Sequence, residues 1–232
     1  MKKSTDIQCI IFDCDGTLVD SEKLSQQALA ETFAQFGITL DATSYWQHFK
    51  GGKMSDILAE TCTRVGLNVR IDDLEPIYRK ACKRIFLQGI EPIAGVPELL
   101  DTLNNQGYQM CIASNAPIEK IKHTLELTGL YHYFVGKIFS GFEANSWKPE
   151  PDVIHYAAML MGVPLNQCIF IDDTVRGVEA GINANIQTFH LLSTPGGQKI
   201  EHPNVIPLNN MAELLGYLVP QKEKETSNSC PA

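Results

Sequence analysis

Two carboxylates with a spacing suited to chemistry lie near the amino terminus. Asp13 and Asp15 directly follow the apolar run 7–12 and precede Gly16. A strand interior excludes charge, so both acids are expected at the carboxyl end of a strand, where open α/β sheets bind their ligands. Alternation along an extended chain would place them on one side, close enough to share a metal ion or a reacting phosphorus. Asp-Gly is also a common hairpin turn, but a turn centred there gives Asp13 no role.

A second polar group follows the predicted strand at 108–113. Ser114 and Asn115 come directly after it, and Pro117 is well suited to the first turn of a following helix. A hydroxyl, an amide and a helix amino terminus offer neutral donors that suit a phosphate. Serine and asparagine are also favoured as helix caps, so a purely structural role stays open for this pair.

A lysine with rigid neighbours is the third candidate. Lys148 lies between Trp147 and Pro149, and Pro151 follows shortly after. Because the prolines restrict the backbone, we expect this side chain to be held more firmly than a typical surface lysine. A cation held in this way could neutralise a phosphate and a nearby carboxylate. Taken alone, Lys148 could equally be a solvated loop lysine.

A second acidic pair, Asp172 and Asp173, ends the apolar run 168–171 and is followed by Thr174 and Gly177. Adjacent carboxylates after a strand can hold a hard cation, which prefers carboxylate oxygen and water as ligands. Acidic residues also cap helices. By itself, therefore, this pair does not decide between a metal site and a cap.

The elements that must position these groups alternate along most of the chain. Runs rich in Ile, Val, Phe and Cys predict strands at 7–12, 108–113, 134–139, 168–171 and 186–191. Apolar stripes of helical spacing separate the later runs, at 96–103, 118–125 and 154–161. Repeated strand and helix predict an α/β fold, with a doubly wound, Rossmann-like parallel sheet covered on both faces.

Residues 21–91 interrupt this alternation. Apolar residues recur there at intervals of three, four and five positions, which fits helices and not strands. The pattern predicts a small α-helical cap domain, residues 21–91, inserted into a core domain that residues 1–20 and 92–220 form. The polar tail at 221–232 is expected to be disordered.

Composition narrows the functional class. The 232-residue chain has 19 basic and 27 acidic residues, a net charge of −8, which argues against nucleic acid as a partner. A small anionic substrate remains compatible, because local lysines and a metal ion outweigh a distant net charge. No apolar run approaches the ~20 residues of a membrane span, and the first residues do not resemble a secretory signal. The seven cysteines lack any Cys-x-x-Cys spacing, which favours free thiols and a reducing cytoplasm. A monomer is expected.

The order of the four polar groups is more specific than any one of them. An acidic pair, Ser-Asn, Lys-Pro and a second acidic pair, all at strand ends of one sheet, would converge on a single crevice. This order resembles the haloacid dehalogenase superfamily over almost the whole chain, to about residue 218. Residues 13–17 match the first motif of that superfamily, Ser114 the second, Lys148 the third and 172–173 the fourth.

The resemblance implies phosphoryl transfer through a phospho-aspartate, with a small phosphorylated metabolite as substrate and Mg2+ as cofactor. Asp13 would attack phosphorus, and Asp15 would protonate the leaving alkoxide and then deprotonate the water that releases phosphate. Ser114, Asn115 and Lys148 would bind the phosphate. The metal ligands would be the Asp13 carboxylate, the Asp15 main-chain carbonyl and Asp173, with Asp172 acting directly or through water.

Such a reaction brings negative charges together, and these must be offset. A carboxylate approaching a phosphate dianion at ~4 Å is repelled by several kcal/mol in a partly dried site, so Mg2+ and Lys148 must cancel that repulsion. Asp15 needs a raised pKa as well, since at ~3.9 only about one molecule in a thousand carries the proton at pH 7. We expect the nearby phosphate and the exclusion of water under the cap to raise it.

Hydrolysis and phosphosugar mutation share these motifs. The β-phosphoglucomutase branch has a histidine twelve positions after the nucleophile, where this chain has Ser25. The same branch has an arginine soon after Lys-Gly in the cap, where this chain offers Lys53. Both departures favour hydrolysis. Haloacid dehalogenation is disfavoured by the presence of Asp15, and a non-catalytic phosphate-binding protein by the presence of both Asp13 and Asp15.

Several segments are also similar to bacterial 6-phosphogluconate phosphatases of this superfamily. They are residues 12–22, 36–41, 49–51, 132–134, 139–141 and 147–149. The similarity implies a sugar phosphate or sugar-acid phosphate as substrate. Lys50 and Lys53 of the predicted cap could then meet the carboxylate or hydroxyls of the substrate, although both could instead belong to a solvated helix face.

Overall fold

A parallel sheet organises the molecule, which the computed structural model describes over residues 7–40, 53–192 and 199–218. The strands are β1 (Cys9–Phe12), β2 (Gln109–Ser114), β3 (Ile138–Ser140), β4 (Cys168–Asp172), β5 (Gln187–Leu191) and β6 (Val205–Leu208). Their order is β3-β2-β1-β4-β5-β6, and every neighbouring pair is parallel. The predicted α/β class with a doubly wound sheet is confirmed.

The position of β1 explains why its last residues matter. All four of its residues are buried, as expected of a strand covered on both faces. Phe12, its last residue, lies opposite Ile112 of β2 and Ile171 of β4. The carboxyl ends of these three strands therefore meet at one edge of the sheet.

Helices cover both faces of the sheet. They are α1 (Glu22–Ala34), α2 (Met54–Val65), α3 (Ile71–Phe86), α4 (Val96–Asn105), α5 (Ile118–Leu127), α6 (Gly141–Ala144), α7 (Asp152–Leu160) and α8 (Val175–Asn183). Single 3-10 turns lie at Tyr131–Tyr133 and Leu165–Gln167, and a longer 3-10 segment at Met211–Tyr217. Buried side chains of α7 and α8 share one apolar cluster, and those of α4 and α5 belong to another.

Among its described residues, the predicted cap segment, 21–91, has helices as its regular elements, joined by turns. It contains α1, α2 and α3, with α3 packed against both other helices. The two ends of the segment lie side by side, because Asp20 donates its main-chain N–H to the carbonyl of Glu91 over 2.9 Å. The chain thus leaves the core and returns to it at one place, which is the arrangement expected of an insertion. The domain boundaries themselves stay a prediction.

The structure differs from the predicted elements in two places. The strand predicted at 134–139 begins only at Ile138, because a 3-10 turn and Gly136, with a φ of 72°, precede it. The strand β6 was not predicted, since Pro207 interrupts a short apolar run. Proline is tolerated there because β6 lies at the edge of the sheet.

Two further predictions concern the carboxyl-terminal tail and membrane-spanning helices. The tail at 221–232 lies outside the described residues. Within the described ranges, no helix has the length and apolar character needed to cross a membrane.

Candidate active site

Lys148 lies at the centre of the site, at the carboxyl edge of the sheet. Its Nζ is 2.7 Å from Oδ1 of Asp13 and 2.7 Å from Oδ2 of Asp172, so one cation joins the ends of β1 and β4. The side chain is only 5% exposed. Burial disfavours the charged amine, but the two carboxylates outweigh this effect and raise the pKa of Lys148 above its usual range. It is therefore a buried, permanently charged lysine and not a solvated loop residue.

Asn115 fixes the main chain of Lys148. Its side-chain Oδ1 accepts the Lys148 N–H over 2.8 Å, and its Nδ2 donates to the Lys148 carbonyl over 3.3 Å. The peptide bond between Lys148 and Pro149 is cis. Asn115 was predicted to bind phosphate, and the structure adds a second task, since its amide holds the residue that carries the central cation. The phosphate role stays a prediction.

A cluster of three buried carboxylates surrounds this lysine. Asp13, Asp172 and Asp173 each offer an oxygen, and these oxygens lie within 4.8 Å of one another. Burial raises the pKa of Asp13, and repulsion from Asp172 adds to this effect while Lys148 opposes it. Burial also raises the pKa of Asp173 well above its usual range, with Asp172 and Asp13 contributing further repulsion. Lys148 alone therefore does not balance the negative charge of the cluster.

The cluster fits a hard divalent cation. Three carboxylates supply the ligand type that Mg2+ prefers, and all three are buried. They carry more formal negative charge than the one lysine between them offsets. The predicted ligands Asp13, Asp172 and Asp173 are thus brought together. The carbonyl of Asp15 as a further ligand stays a prediction.

Threonines orient the two carboxylates of the fourth motif. Thr17 donates its hydroxyl to Oδ1 of Asp173 over 2.8 Å. The main-chain N–H and the hydroxyl of Thr174 both donate to Oδ1 of Asp172, over 2.8 and 2.7 Å. Neither threonine was predicted as a site residue, although both lie within two positions of a predicted acid and could have been found as its neighbours.

Two glycines allow the strands and helices to come this close. Gly16 has a φ of 77°, and a Cβ there would collide with the carboxylate of Asp173. A Cβ on Gly177, in the first turn of α8, would overlap the carboxyl group of Asp172. Both acids therefore depend on the absence of a side chain on the segment facing them.

Asp15 lies beyond the end of β1, in a turn where the N–H of Leu18 binds the carbonyl of Cys14. The Asp15 carboxylate accepts a hydrogen bond from the Ser21 hydroxyl over 2.7 Å and forms an ion pair with Lys120. These partners belong to the start of the predicted cap and to α5. That Asp15 and Asp13 act on one metal ion or one phosphorus stays a prediction.

The protonation state of Asp15 differs from the expectation. Burial disfavours its charged form, but Lys120 and the hydrogen bond from Ser21 outweigh burial and lower the pKa of Asp15. A raised pKa was predicted because a bound phosphate would repel the carboxylate. The described contacts of the carboxylate are with hydrogen-bond donors, the Ser21 hydroxyl and the Lys120 amine, and these favour its ionised form.

Ser114 ends β2 at the edge of the same crevice. Its residue is 2% exposed, and its hydroxyl accepts the N–H of Ala116 over 3.4 Å. Ser114 and Asn115 both line the cavity that also contains Asp13, Asp15 and Lys148. Residues of the first three predicted motifs therefore line one cavity, whereas Asp172 and Asp173 of the fourth are not among the described residues that line it.

That cavity has a volume of about 830 Å³, within the usual range for small-molecule sites. Its wall consists of core residues on one side and residues of α1, α2 and α3 on the other. Cationic side chains contribute to both sides: Arg79, Lys83, Lys120, Lys122, Lys148 and Arg176. A small anion, enclosed between core and predicted cap, suits this composition.

Of the two predicted cap lysines, the structure describes Lys53 alone. Lys50 is outside the described residues. Nζ of Lys53 lies 4.0 Å from the centroid of the Trp147 ring, and Lys53 is not among the described residues that line the cavity. Its contact with substrate stays a prediction, whereas its contact with the residue before Lys148 is part of the structure.

Lys120 is the charged residue that sequence reasoning missed. It lies in the first turn of α5, beyond Pro117, and contacts Asp15. No motif marks it, because a lysine in a polar first turn looks like a solvated helix residue. The signal available was its position, one turn after the predicted phosphate-binding pair and at the same edge of the sheet.

Known proteins with related sequences and structures agree with this arrangement. A family model described as haloacid dehalogenase-like hydrolase matches residues 10–191. The 6-phosphogluconate phosphatase of Escherichia coli (strain K12) is 36% identical over 208 residues, 90% of this chain and 93% of that protein. The phosphoglycolate phosphatase of Aquifex aeolicus (strain VF5) is 25% identical over 186 residues, 78% of this chain and 83% of that protein. Among solved structures, CbbY from Rhodobacter sphaeroides in complex with phosphate has a TM-score of 0.79 at 21% identity, covering 91% of this chain and 99% of that one. The chain belongs to the haloacid dehalogenase-like hydrolase family.

Proposed function

We propose that this protein is a Mg2+-dependent phosphatase that hydrolyses monoesters of small phosphorylated metabolites through a phosphorylated Asp13. The observation that carries the proposal is the position of Asp13. Its carboxylate directly follows the central strand, is buried, and has Oδ1 2.7 Å from the Lys148 amine. A nucleophile beside a buried cation, at the wall of an enclosed cavity, suits attack on a phosphate.

The first half of the reaction uses Asp13 and Asp15. An oxygen of Asp13 forms a bond to phosphorus while the bond from phosphorus to the leaving oxygen breaks. Lys120 and Ser21 favour the ionised form of Asp15, and repulsion by the bound phosphate restores the protonated form, so Asp15 gives its proton to that leaving oxygen. Ser114 and Asn115 offer hydrogen bonds to the phosphoryl oxygens, and Lys148 offsets the charge that Asp13 and the phosphate bring together.

The second half returns the enzyme to its starting state. Asp15, now ionised, takes a proton from a water molecule that attacks phosphorus, the bond from phosphorus to Asp13 breaks, and inorganic phosphate leaves. The Lys120 ion pair favours the ionised Asp15 that this step requires. Asp15 therefore serves as acid and then as base.

Asp13, Asp172 and Asp173, with the carbonyl of Asp15, would hold the Mg2+ ion. When bound, the ion supplies positive charge that offsets repulsion between the carboxylates and the phosphate. The three buried carboxylates support this assignment, because their formal negative charge exceeds the positive charge of Lys148 beside them.

We propose a sugar phosphate or sugar-acid phosphate as the substrate class, with 6-phosphogluconate as the first candidate. The 36% identity to the Escherichia coli phosphatase over nearly the whole chain supports this choice. Hydrolysis is favoured over phosphosugar mutation because Ser25, in place of the histidine of the mutase branch, lines the cavity. We further propose that residues 21–91 act as the cap that closes over the substrate.

Phosphate release from p-nitrophenyl phosphate and from a set of phosphorylated metabolites, with and without Mg2+, tests the function. We expect Mg2+-dependent release, 6-phosphogluconate among the best substrates, and complete loss of turnover in Asp13→Asn. Absence of release in every condition would indicate a binding protein. Interconversion of glucose phosphates that depends on glucose 1,6-bisphosphate would indicate a mutase instead.

A further inference from the structure

Asp15 is held on two sides by residues of different segments. The Ser21 hydroxyl donates to its Oδ1 over 2.7 Å from the start of the predicted cap. Lys120 forms an ion pair with the same oxygen from α5 of the core. A side chain that must deliver a proton to one defined oxygen benefits from such contacts, because they restrict its rotation.

Lys120 is itself held in place by the predicted cap. Its side chain is only 24% exposed, and its Nζ lies 5.3 Å from the centroid of the Phe86 ring, at the end of α3. A cation over an aromatic face is attracted to it. Lys120 therefore lies between Asp15 below and Phe86 above, at the boundary between core and cap.

We propose that Lys120 is a positioning residue that fixes the orientation of the Asp15 carboxylate in the cavity. The inference rests on the proposed function, since it gives a task to a residue that acts on Asp15. Lys120 does not exchange the proton. It orients Asp15, which exchanges the proton. Because Lys120 also contacts Phe86, the orientation of Asp15 depends on the position of the predicted cap.

The consequence is a specific kinetic defect. Without Lys120, Ser21 is the hydrogen-bond donor that remains on Asp15 among the described contacts, and the carboxylate can adopt more orientations. Loss of Lys120 also removes a charge that favours the ionised form of Asp15, which by itself would increase the supply of the proton. A slower reaction of esters whose leaving group must be protonated therefore reports the lost orientation of Asp15. Esters of an acidic phenol are affected less, because their leaving group departs as an anion.

The test compares two aryl esters of one shape, phenyl phosphate and p-nitrophenyl phosphate, in wild type and Lys120→Met. Phenol is about as basic as a tyrosine side chain, with a pKa of ~10, and nitrophenol is far more acidic. We expect kcat for phenyl phosphate to fall by about tenfold to a hundredfold, which is part of the ~10²- to 10⁴-fold that a positioned acid contributes, because Asp15 itself remains. The fall for p-nitrophenyl phosphate is expected to be within about threefold, as for an ester that needs little proton transfer.

Two further variants isolate the effect. Lys80→Met removes a lysine from the exposed side of α3 and is expected to leave both rates unchanged. In an Asp15→Asn background, Lys120→Met should cause no additional selective loss for phenyl phosphate, because the group it positions can no longer give a proton. If Lys120→Met does not fold, as judged by its melting curve, Lys120→Gln serves in its place.

The outcomes separate this inference from the function on which it rests. An equal loss on both esters, an unchanged ratio, or a selective loss that persists in the Asp15→Asn background would overturn the positioning role. Absence of turnover by the wild type on both esters would count against the proposed phosphatase itself.

Discussion

The side-chain amide of Asn115 binds both the N–H and the carbonyl of Lys148, over 2.8 and 3.3 Å. The residue after β2 thus fixes the main chain of the lysine that neutralises the residue after β1. Since Asn115 is also proposed to bind the phosphate, a change at Asn115 is expected to affect both phosphate binding and the placement of the Lys148 amine.

Asn115→Ala is expected to lower kcat/KM for p-nitrophenyl phosphate by about tenfold to a hundredfold, because a small displacement of a charged group in an active site is costly. Steady-state kinetics measures the effect. Asn183→Ala is the matched control, since Asn183 also binds this loop, at the Pro149 carbonyl over 2.9 Å, but from the exposed side. Equal losses in the two variants would show that general support of the loop, and not the Asn115 contact, is what matters.

Asp173→Asn is expected to stabilise the metal-free protein and to abolish its response to Mg2+. The change removes a buried charge that Asp172 and Asp13 repel, and it keeps the acceptor for the Thr17 hydroxyl. A gain of about 1 kcal/mol corresponds to a melting temperature higher by ~2–4 °C in a chain of this size. Thermal melts in EDTA and in excess Mg2+ measure both effects.

The wild type gives the reference for that measurement. A ligand at a hundred times its dissociation constant stabilises the folded state by about 2.7 kcal/mol, so Mg2+ should raise the wild-type melting temperature clearly. Asp56→Asn, on the exposed face of α2, should behave as wild type. A variant at position 173 that still responds fully to Mg2+ would contradict the assigned ligand.

Buried cysteines are expected to resist alkylation in the native protein. Burial raises the pKa of Cys82 to about 11 and that of Cys14 well above its usual range. Since the thiolate is the reactive form, about one Cys82 in a thousand is reactive at pH 8. This fraction rises about tenfold for each pH unit up to the pKa. Peptide mass spectrometry after treatment with iodoacetamide measures the labelling of each cysteine in the native protein and in the urea-unfolded protein. Rapid labelling of Cys14 in the native protein at pH 8 would contradict this expectation.

Lys53→Met is expected to raise KM by a similar, small factor for p-nitrophenyl phosphate and 6-phosphogluconate. The Lys53 amine contacts the Trp147 ring, and such a contact contributes ~0.5–1 kcal/mol at exposed sites, or about twofold to fivefold in KM. A loss confined to 6-phosphogluconate would show instead that Lys53 binds the substrate carboxylate. Lys80→Met again provides the control.

The sheet and the meeting of the four motifs could be predicted because each motif directly follows an apolar strand or lies in the loop after one. Parallel strands place their carboxyl ends at one edge, so sequence position alone brings Asp13, Ser114 and Asp172 together. The burial of Lys148 could not be derived in this way. It depends on the Asn115 contact, which joins residues 33 positions apart.

The partners of Asp15 could not be predicted, for a local reason. The prediction extended the strand alternation past Phe12, but the chain turns at Gly16, where φ is 77°. The partners of Asp15 then come from α1 and α5, and their approach depends on how the helices pack. Lys120 and Phe86 could not be recognised for the same reason, since only the tertiary structure places them beside Asp15.

The contact between Gly177 and Asp172 has a consequence for how relatives of this chain can be compared. A methyl group at position 177 would force α8 away from β4, so Asp172 could not keep its bond to Lys148. A relative that retains all four acids but has alanine here has lost the room its fourth motif needs. The residue at position 177 therefore indicates whether a relative can form the bond between Asp172 and Lys148, although glycine itself carries no functional group.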